Sequence, residues 1–164
     1  MVVFINIKCS FFTISNEKQS NKDLGFLIRK AKHYLCAMNT KHHSNNILLN
    51  LGIESLNEMQ EVAQDAILND NNVLLLSPTG SGKTLAFLLP IFELLQPEIL
   101  SVQCLILVPS RELGLQIEQV WKKIGTDYKV NTCYGGHSID TEIKNLSNPP
   151  AVLIGTPGRI ADHI

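Results

Sequence analysis

Residues 73–88 read VLLLSPTGSGKTLAFL, and this stretch decides the fold. A short apolar run, typical of a buried strand, leads into a polar turn and then into an apolar helical pattern. Gly80 and Gly82 permit backbone angles closed to other residues and let backbone N–H groups approach an anion closely. Lys83 adds a positive charge, and Thr84 adds a hydroxyl that can bind Mg²⁺. The stretch therefore predicts a loop that binds nucleotide phosphates together with Mg²⁺.

The strict phosphate-loop pattern has a glycine where Ser77 stands, so the match departs from it by one residue. The strand before the loop and the helix after it still supply the context that the motif requires. Lys83 and Thr84 are the candidate catalytic residues, with Thr84 as the Mg²⁺ ligand. The expected nucleotide contacts within the loop are Thr79, Gly80, Ser81, Gly82, Lys83 and Thr84.

Three further apolar runs, at 102–108, 130–134 and 151–155, read as strands. Helical patterns at 83–95, 110–123 and 138–146 separate them, and Pro90 is expected to kink or shorten the first helix. Such alternation predicts an α/β fold in which parallel strands are joined by right-handed crossovers, with helices on both faces of the sheet.

An upstream helix is predicted to begin at a capping box formed by Ser55 and Glu58. Apolar residues then recur at helical spacing, which predicts a buried face. Its members are Leu56, Met59, Val62, Ala63, Ala66 and Ile67.

Composition excludes several classes of protein. The 164 residues fit one domain, and 45% hydrophobic with 18% charged residues is an ordinary globular balance, unlike a disordered chain, a collagen or a coiled coil. The longest apolar stretch is too short for a bilayer span, so no membrane partner is expected. The four cysteines form no CxxC pair, and the amino end is a poor secretory signal, so we expect reduced thiols and a cytoplasmic protein.

Charge divides the chain into two parts. Residues 1–45 carry seven basic and two acidic residues, and we interpret them as a poorly defined extension and linker. Residues 46–164 carry seven basic and thirteen acidic residues and contain the predicted domain. An acidic domain that binds nucleic acid must use a few placed groups rather than bulk positive charge.

Several motifs in the second part resemble a known family. The run PTGSGKT, with Gln60 upstream and VPSREL, YGG and TPGR downstream, is similar to the first RecA-like domain of DEAD-box ATP-dependent RNA helicases. The resemblance extends from about residue 48 to residue 164. It implies an incomplete, parallel-sheet RecA-like P-loop NTPase domain, ATP and Mg²⁺ as cofactors and RNA as partner.

The resemblance also implies roles for individual residues. Gln60 would read the adenine edge, because its amide offers both a donor and an acceptor. An aromatic residue that stacks on adenine is expected near Leu35, where Tyr34 is the adjacent aromatic. The implied contacts to RNA go to sugar and phosphate, so binding would ignore base sequence. These contacts are Pro109, Ser110, Arg111, Gly135, Gly136, Thr156, Pro157, Gly158 and Arg159.

One departure from the family bears on activity. The 164 residues contain no Asp-Glu dipeptide, whereas the family's Asp-Glu-Ala-Asp motif supplies acids for Mg²⁺ and water. The family's second RecA-like domain has no counterpart in this sequence either. We expect the chain alone neither to hydrolyse ATP nor to unwind RNA. We also expect residues 73–76 to form an unpaired apolar sheet edge, which is an aggregation hazard.

Two alternatives remain open at this stage. The chain could belong to another P-loop ATPase that acts on DNA or protein, and strict adenine selectivity would count against that. It could instead be a non-catalytic fragment that only binds nucleotide, and binding without turnover would be its signature.

Overall fold

The computed structural model describes residues 3–6, 47–70, 72–136 and 138–163, and it confirms the predicted α/β fold. Residues 47–51 are helical. The strands are β1 (Val3–Asn6), β2 (Asn72–Leu75), β3 (Cys104–Leu107), β4 (Val130–Cys133) and β5 (Val152–Gly155). The helices are α1 (Glu58–Asn69), α2 (Lys83–Leu94), α3 (Arg111–Ile124), α4 (Ile139–Leu146) and α5 (Pro157–Ala161).

A parallel sheet with the strand order β3-β5-β4 organises the second half of the chain. Its strands lie within the runs predicted at 102–108, 130–134 and 151–155, and a helix follows each of them. Gly155 pairs with Leu107 on one side and with Cys133 on the other, so all three strands end at the same level. The loops that follow these strands are therefore brought to one edge of the sheet.

β2 departs from the sequence prediction. It is hydrogen-bonded to β1 in an antiparallel pair with Val73 opposite Ile5, rather than joined to the parallel sheet. The prediction that residues 73–76 are unpaired is therefore wrong for 73–75, because a backbone segment far away in sequence supplies a partner on one side, and β2 remains an edge strand of this two-stranded sheet. The prediction of a fully buried strand is also wrong, since Leu74 and Leu76 are exposed.

The core lies between α2, α3 and the parallel sheet. Phe87 and Leu88 of α2 are fully buried, and Trp121 of α3 is nearly so. The Trp121 indole Nε1 donates to the Tyr128 carbonyl at 3.1 Å, which satisfies its only polar atom. α2 continues past Pro90 to Leu94, so the proline does not end the helix early.

The N-cap of α1 lies two residues later than the one predicted at Ser55. Asn57 is the N-cap, and the box is reciprocal: Asn57 Oδ1 accepts from the Gln60 N–H at 3.0 Å, and Gln60 Oε1 accepts from the Asn57 N–H at 2.9 Å. The buried residues of α1 are Gln60, Ala63 and Ile67. Val62 was predicted to be buried but is 64% exposed, because the buried face of the helix is rotated toward Gln60.

Some predictions fall outside the described residues. They are the extension and linker within 1–45, apart from residues 3–6, and the stacking of an aromatic such as Tyr34 on adenine. Among the helices that are described, none has both the length and the apolar character that crossing a bilayer requires.

Candidate functional site

The glycine loop, residues 77–82, connects β2 to α2. Gly80 and Gly82 have φ values of 83° and 84°, in the left-handed region that favours glycine. Gly82 is the N-cap of α2, which begins at Lys83, so the loop delivers its last residues to a helix amino end. Thr79 and Gly80 are exposed at the tip of the turn. The local geometry thus follows the prediction from the two glycines.

The ammonium group of Lys83 lies inside this loop. Its Nζ donates to the Ser77 carbonyl at 2.7 Å, to the Pro78 carbonyl and to Ser81 Oγ at 3.4 Å. The residue is buried, with 5% of its surface exposed. A buried cation with only carbonyl and hydroxyl partners would gain much more from an anion, since charge-assisted hydrogen bonds are the stronger ones.

Two serines close the loop across its base. Ser77 Oγ donates to Ser81 Oγ at 2.6 Å. Ser77 is the residue that departs from the usual phosphate-loop pattern, so this contact is a consequence of that departure. Together with the Lys83 contacts, it holds the loop closed on itself.

Gln60 ties α1 to the glycine loop. Its side-chain oxygen accepts from the backbone N–H of Asn57 at 2.9 Å, and its Nε2 donates to the Gly82 carbonyl at 3.2 Å. Asn57 adds a second tie, since its Nδ2 donates to the Ser81 carbonyl at 3.2 Å. An amide group has a second N–H and a second lone pair beyond these two bonds, so Gln60 keeps hydrogen-bonding capacity for a ligand.

The second group of candidate residues meets at what we call the strand-end edge, formed by residues 109–111, 134–136 and 156–159. These segments follow β3, β4 and β5, and the backbone N–H of Thr156 donates to the Cys133 carbonyl at 3.1 Å. Pro109, Gly135, Pro157 and Gly158 are exposed there. The sheet register thus brings together the residues that the motifs separated in sequence.

Two contacts shape one side of this edge. Ser110 is the N-cap of α3, and its Oγ accepts from the Leu113 N–H at 3.3 Å. The Arg111 guanidinium lies 4.7 Å from the centre of the Tyr134 ring, an interaction between a cation and an aromatic face. Tyr134 was not among the predicted site residues, although its position directly before Gly135 was a signal that could have identified it.

Thr156, after the central strand β5, and Gly135 and Gly136, after β4, complete this edge. Thr156 is the N-cap of α5, and its hydroxyl makes no capping hydrogen bond there. Gly136 has φ of 96°, which a residue with a side chain would rarely adopt. Among the described residues, and leaving out the chain neighbours, no atom lies within 4 Å of the Cβ position at Gly135 or Gly136, so both glycines leave open space at this edge.

A buried acid, which sequence analysis missed, lies behind the edge. Glu142 of α4 is buried, and its Oε2 lies 3.0 Å from Arg159 Nε and 2.8 Å from His163 Nε2. Its Oε1 accepts from the Tyr134 N–H at 3.4 Å. Helical spacing could equally have buried Ile143, which is 54% exposed, so the signal in the sequence was ambiguous.

Burial raises the pKa of the Cys133 thiol to about 11, and the nearby Glu142 carboxylate adds to this increase. Ligand atoms of Cys133, Glu142 and His163 lie within 4.8 Å of one another, which is the spacing of a metal site. The guanidinium of Arg159 already neutralises Glu142, however, and a second cation beside it is disfavoured. We therefore interpret the cluster as a hydrogen-bonded network.

Residues of the glycine loop have the chemistry to hold a nucleotide and Mg²⁺. Lys83 supplies a positive charge, and Gly80 leaves open space where a side chain would stand, whereas Gln60 Nε2 occupies that position at Gly82. Thr84 lies in the first turn of α2, is partly exposed and carries the hydroxyl that Mg²⁺ would accept as a ligand.

Comparison with known proteins gives a consistent result. Residues 57–164 match the family model of the DEAD/DEAH box helicase. The chain is 39% identical over 115 residues to the DEAD-box ATP-dependent RNA helicase CshC of Bacillus cereus. These aligned residues cover 69% of this chain and 30% of that protein. It is 36% identical over 125 residues to the ATP-dependent RNA helicase dhh1 of Neurospora crassa, covering 73% and 22% respectively.

Solved structures give the same picture. A hypothetical ATP-dependent RNA helicase from Sulfolobus tokodaii superposes with a TM-score of 0.58 and 28% identity, over 74% of this chain and 35% of that one. The DEAD-box helicase Mss116 bound to ssRNA and UDP-BeF superposes with a TM-score of 0.63 and 28% identity, over 71% and 26%. The chain thus spans about a third or less of the length of these relatives.

Proposed function

Because the chain belongs to the DEAD/DEAH box helicase family and carries part of its first RecA-like domain, we propose that it is the N-terminal part of an RNA helicase that binds ATP with Mg²⁺ and the backbone of RNA. The observation that carries the proposal is the glycine loop, in which Lys83 is buried among neutral oxygens at the start of a helix. Among the described residues, the oxygens that accept from this ammonium are uncharged, so an ATP phosphate would give it an anionic partner.

In this proposal, ATP binding requires the glycine loop to open. Lys83 exchanges the carbonyls of Ser77 and Pro78 for the β- and γ-phosphates, and Thr84 holds Mg²⁺. The backbone of Thr79, Gly80, Ser81 and Gly82 surrounds the phosphates. Gln60 uses its remaining donor and acceptor on the adenine edge, and its bond to Gly82 links base recognition to the loop.

RNA would lie across the strand-end edge. Arg111 offers a charged group, Gly135 and Gly136 allow close approach of the backbone, and the Thr156 hydroxyl makes no capping bond and can donate to a phosphate. Pro109, Ser110, Pro157 and Gly158 complete the surface, and Arg159 lies behind it. Contacts of this kind involve sugar and phosphate, so binding would be independent of base sequence.

We further propose that the 164 residues alone bind ATP without turnover, since they contain no Asp-Glu pair of the family's acidic motif. A second RecA-like domain is the partner that a complete helicase site would require. The proposal also places the protein in the cytoplasm, where the buried thiols of Cys104 and Cys133 would stay reduced.

The test is titration of the purified chain with a fluorescent ATP analogue in the presence of Mg²⁺. Lys83→Ala should weaken binding about tenfold or more, because charge-assisted hydrogen bonds to the phosphates are lost. Lys123→Ala removes an exposed charge from the last turn of α3 and should leave the affinity unchanged. Equal affinity in wild type and Lys83→Ala would rule out the phosphate-loop assignment.

Two further measurements separate this proposal from its alternatives. Competition by ATP, GTP and UTP should rank ATP first if Gln60 reads adenine, whereas another P-loop ATPase need show no such preference. Oligouridylate and oligoadenylate should bind about equally well. Release of phosphate stimulated by RNA and abolished by Lys83→Ala would contradict the expected lack of turnover.

A further inference from the structure

Glu142 connects two parts of the strand-end edge from behind. Its Oε1 accepts from the backbone N–H of Tyr134, directly before Gly135. Its Oε2 faces Arg159 Nε at 3.0 Å and His163 Nε2 at 2.8 Å, both in the segment that follows β5. A single carboxylate therefore joins the loop after β4 to the segment after β5.

The Arg159 side chain points into this network rather than out of the protein. Its side chain is 12% exposed, and that of Glu142 is 9% exposed. Asp162 lies 3.8 Å from the guanidinium on its outer side and is itself largely exposed. A cation held between two acids, and mostly shielded from solvent, is poorly placed to meet a phosphate.

We propose that Glu142 is a positioning residue for RNA binding, and that Arg159 acts through Glu142 rather than by contacting a phosphate. The carboxylate sets the distance between Gly135–Gly136 and Thr156–Gly158, so that both segments can follow one nucleic-acid backbone. The inference rests on the proposed function, since it assumes that this edge binds RNA.

The sign of the expected effect distinguishes this role from simple electrostatics. An acid near RNA repels phosphates, so removing its charge should strengthen binding unless the acid holds the site together. Both oxygens of Glu142 face donors, so Glu142→Gln must turn its amide NH₂ toward one of them. This substitution keeps the shape of the side chain and breaks the network.

The experiment compares Glu142→Gln with Asp140→Asn in the full 164-residue chain. Asp140 is an exposed acid in the first turn of the same helix, so its substitution removes the same charge from the same region. We expect Glu142→Gln to weaken binding of a short oligouridylate about fivefold or more, and Asp140→Asn to leave it unchanged or slightly tighter. Tighter binding in both variants would overturn the proposal.

Arg159→Gln provides a second readout through salt dependence. A phosphate contact contributes about 0.7 to the slope of log affinity against log salt for a single strand. We expect Arg159→Gln to weaken binding with the slope unchanged. The double variant with Glu142→Gln should lose less than the sum of the two single losses, because both act through one pair. Additive losses with a reduced slope would overturn the proposal.

Hydrogen exchange tests the positioning role without RNA. Glu142→Gln should increase exchange in peptides that cover 131–136 and 156–163 together, while Asp140→Asn should change neither. If the wild type binds no RNA, the proposed function fails, and this measurement still decides whether Glu142 joins the two segments. A chelator that loosens the same peptides in wild type would instead assign Cys133, Glu142 and His163 to a metal site and overturn the inference.

Discussion

Gln60 Nε2 donates a hydrogen bond to the Gly82 carbonyl at 3.2 Å, which joins the first turn of α1 to the start of α2 across 22 positions of the chain. The same side chain closes the capping box with Asn57. Gln60 therefore stabilises two helix amino ends at once, and its burial follows from both contacts. A residue expected to read a base is first a structural support of the glycine loop.

Substitutions of Gln60 should separate the contribution of its bond to Asn57 from that of its bond to Gly82. Gln60→Ala loses the reciprocal cap and the tie to Gly82, so the free energy of unfolding should fall by about 1–2 kcal/mol. Gln60→Glu keeps an acceptor for the Asn57 N–H but has no donor for Gly82, and its loss should be smaller. Urea unfolding measures both.

Gln116→Ala is the control for this comparison, because Gln116 is exposed on α3 and its loss should stay within about 0.5 kcal/mol. Equal unfolding free energies for Gln60→Ala and Gln116→Ala would show that the contacts of Gln60 contribute nothing net.

The serine pair at the base of the glycine loop predicts a gain of affinity. Ser77→Ala removes the 2.6 Å hydrogen bond to Ser81 Oγ, which holds the loop closed in the absence of nucleotide. Since a hydrogen bond is worth about 0.5–1.5 kcal/mol net, ATP should bind roughly two- to tenfold more tightly. Titration with the fluorescent ATP analogue checks this, with Ser101→Ala at an exposed bend as control. Weaker binding by Ser77→Ala would mean that Ser77 contacts the nucleotide instead.

Local signals in the sequence predicted much of the fold. The glycine turn before Lys83, the helical patterns and the apolar runs all act within a few residues, and the structure places α2, α3, α4 and the parallel sheet accordingly. Such signals can be read from the sequence because they depend only on the backbone preferences and spacing of residues that are close together in the chain.

Long-range partners could not be predicted in this way. β2 pairs with β1, which lies near the amino end of the chain. Val62 is exposed, while Gln60 of the same helix is buried and donates to the glycine loop. Glu142 is buried only because Arg159 and His163 meet it once β4 and β5 are side by side. Each of these depends on a contact that no local pattern encodes.

The raised pKa of Cys133 predicts a loss of stability in alkaline solution. Burial, with a contribution from Glu142, raises the pKa of this thiol from 9.0 to about 11 in the folded protein. Between about pH 9 and pH 11 the unfolded chain loses this proton while the folded protein keeps it, so stability decreases as pH rises. Below about pH 9 the thiol is protonated in both states, and the term is constant.

The urea midpoint of unfolding should therefore fall less steeply with rising pH, between about pH 9 and pH 11, for Cys133→Ala than for wild type. Ser147→Ala is the control, because it removes an exposed hydroxyl that does not titrate in this range and should keep the wild-type slope. The same slope in wild type and Cys133→Ala would show that the thiol does not couple to folding.

The space around Gly155, at the end of β5, is too small for a side chain. A Cβ there would collide with Cδ1 of Ile160 and stand 2.6 Å from its Cγ1 and 3.0 Å from the Cys133 carbonyl. The carbonyl is held in place, since it accepts from the Thr156 N–H at 3.1 Å. Gly155→Ala should therefore lower the free energy of unfolding by about 1–3 kcal/mol, the usual cost of overpacking.

Gly158→Ala is the control, because no atom lies within 4 Å of its Cβ position and alanine is the better helix former in α5. It should be neutral or slightly stabilising. Combining Gly155→Ala with Ile160→Val shortens the side chain that blocks the Cβ, so the double variant should lose less than the sum of the single losses. Additive losses in urea unfolding would show that Ile160 is not the group that excludes a side chain at position 155.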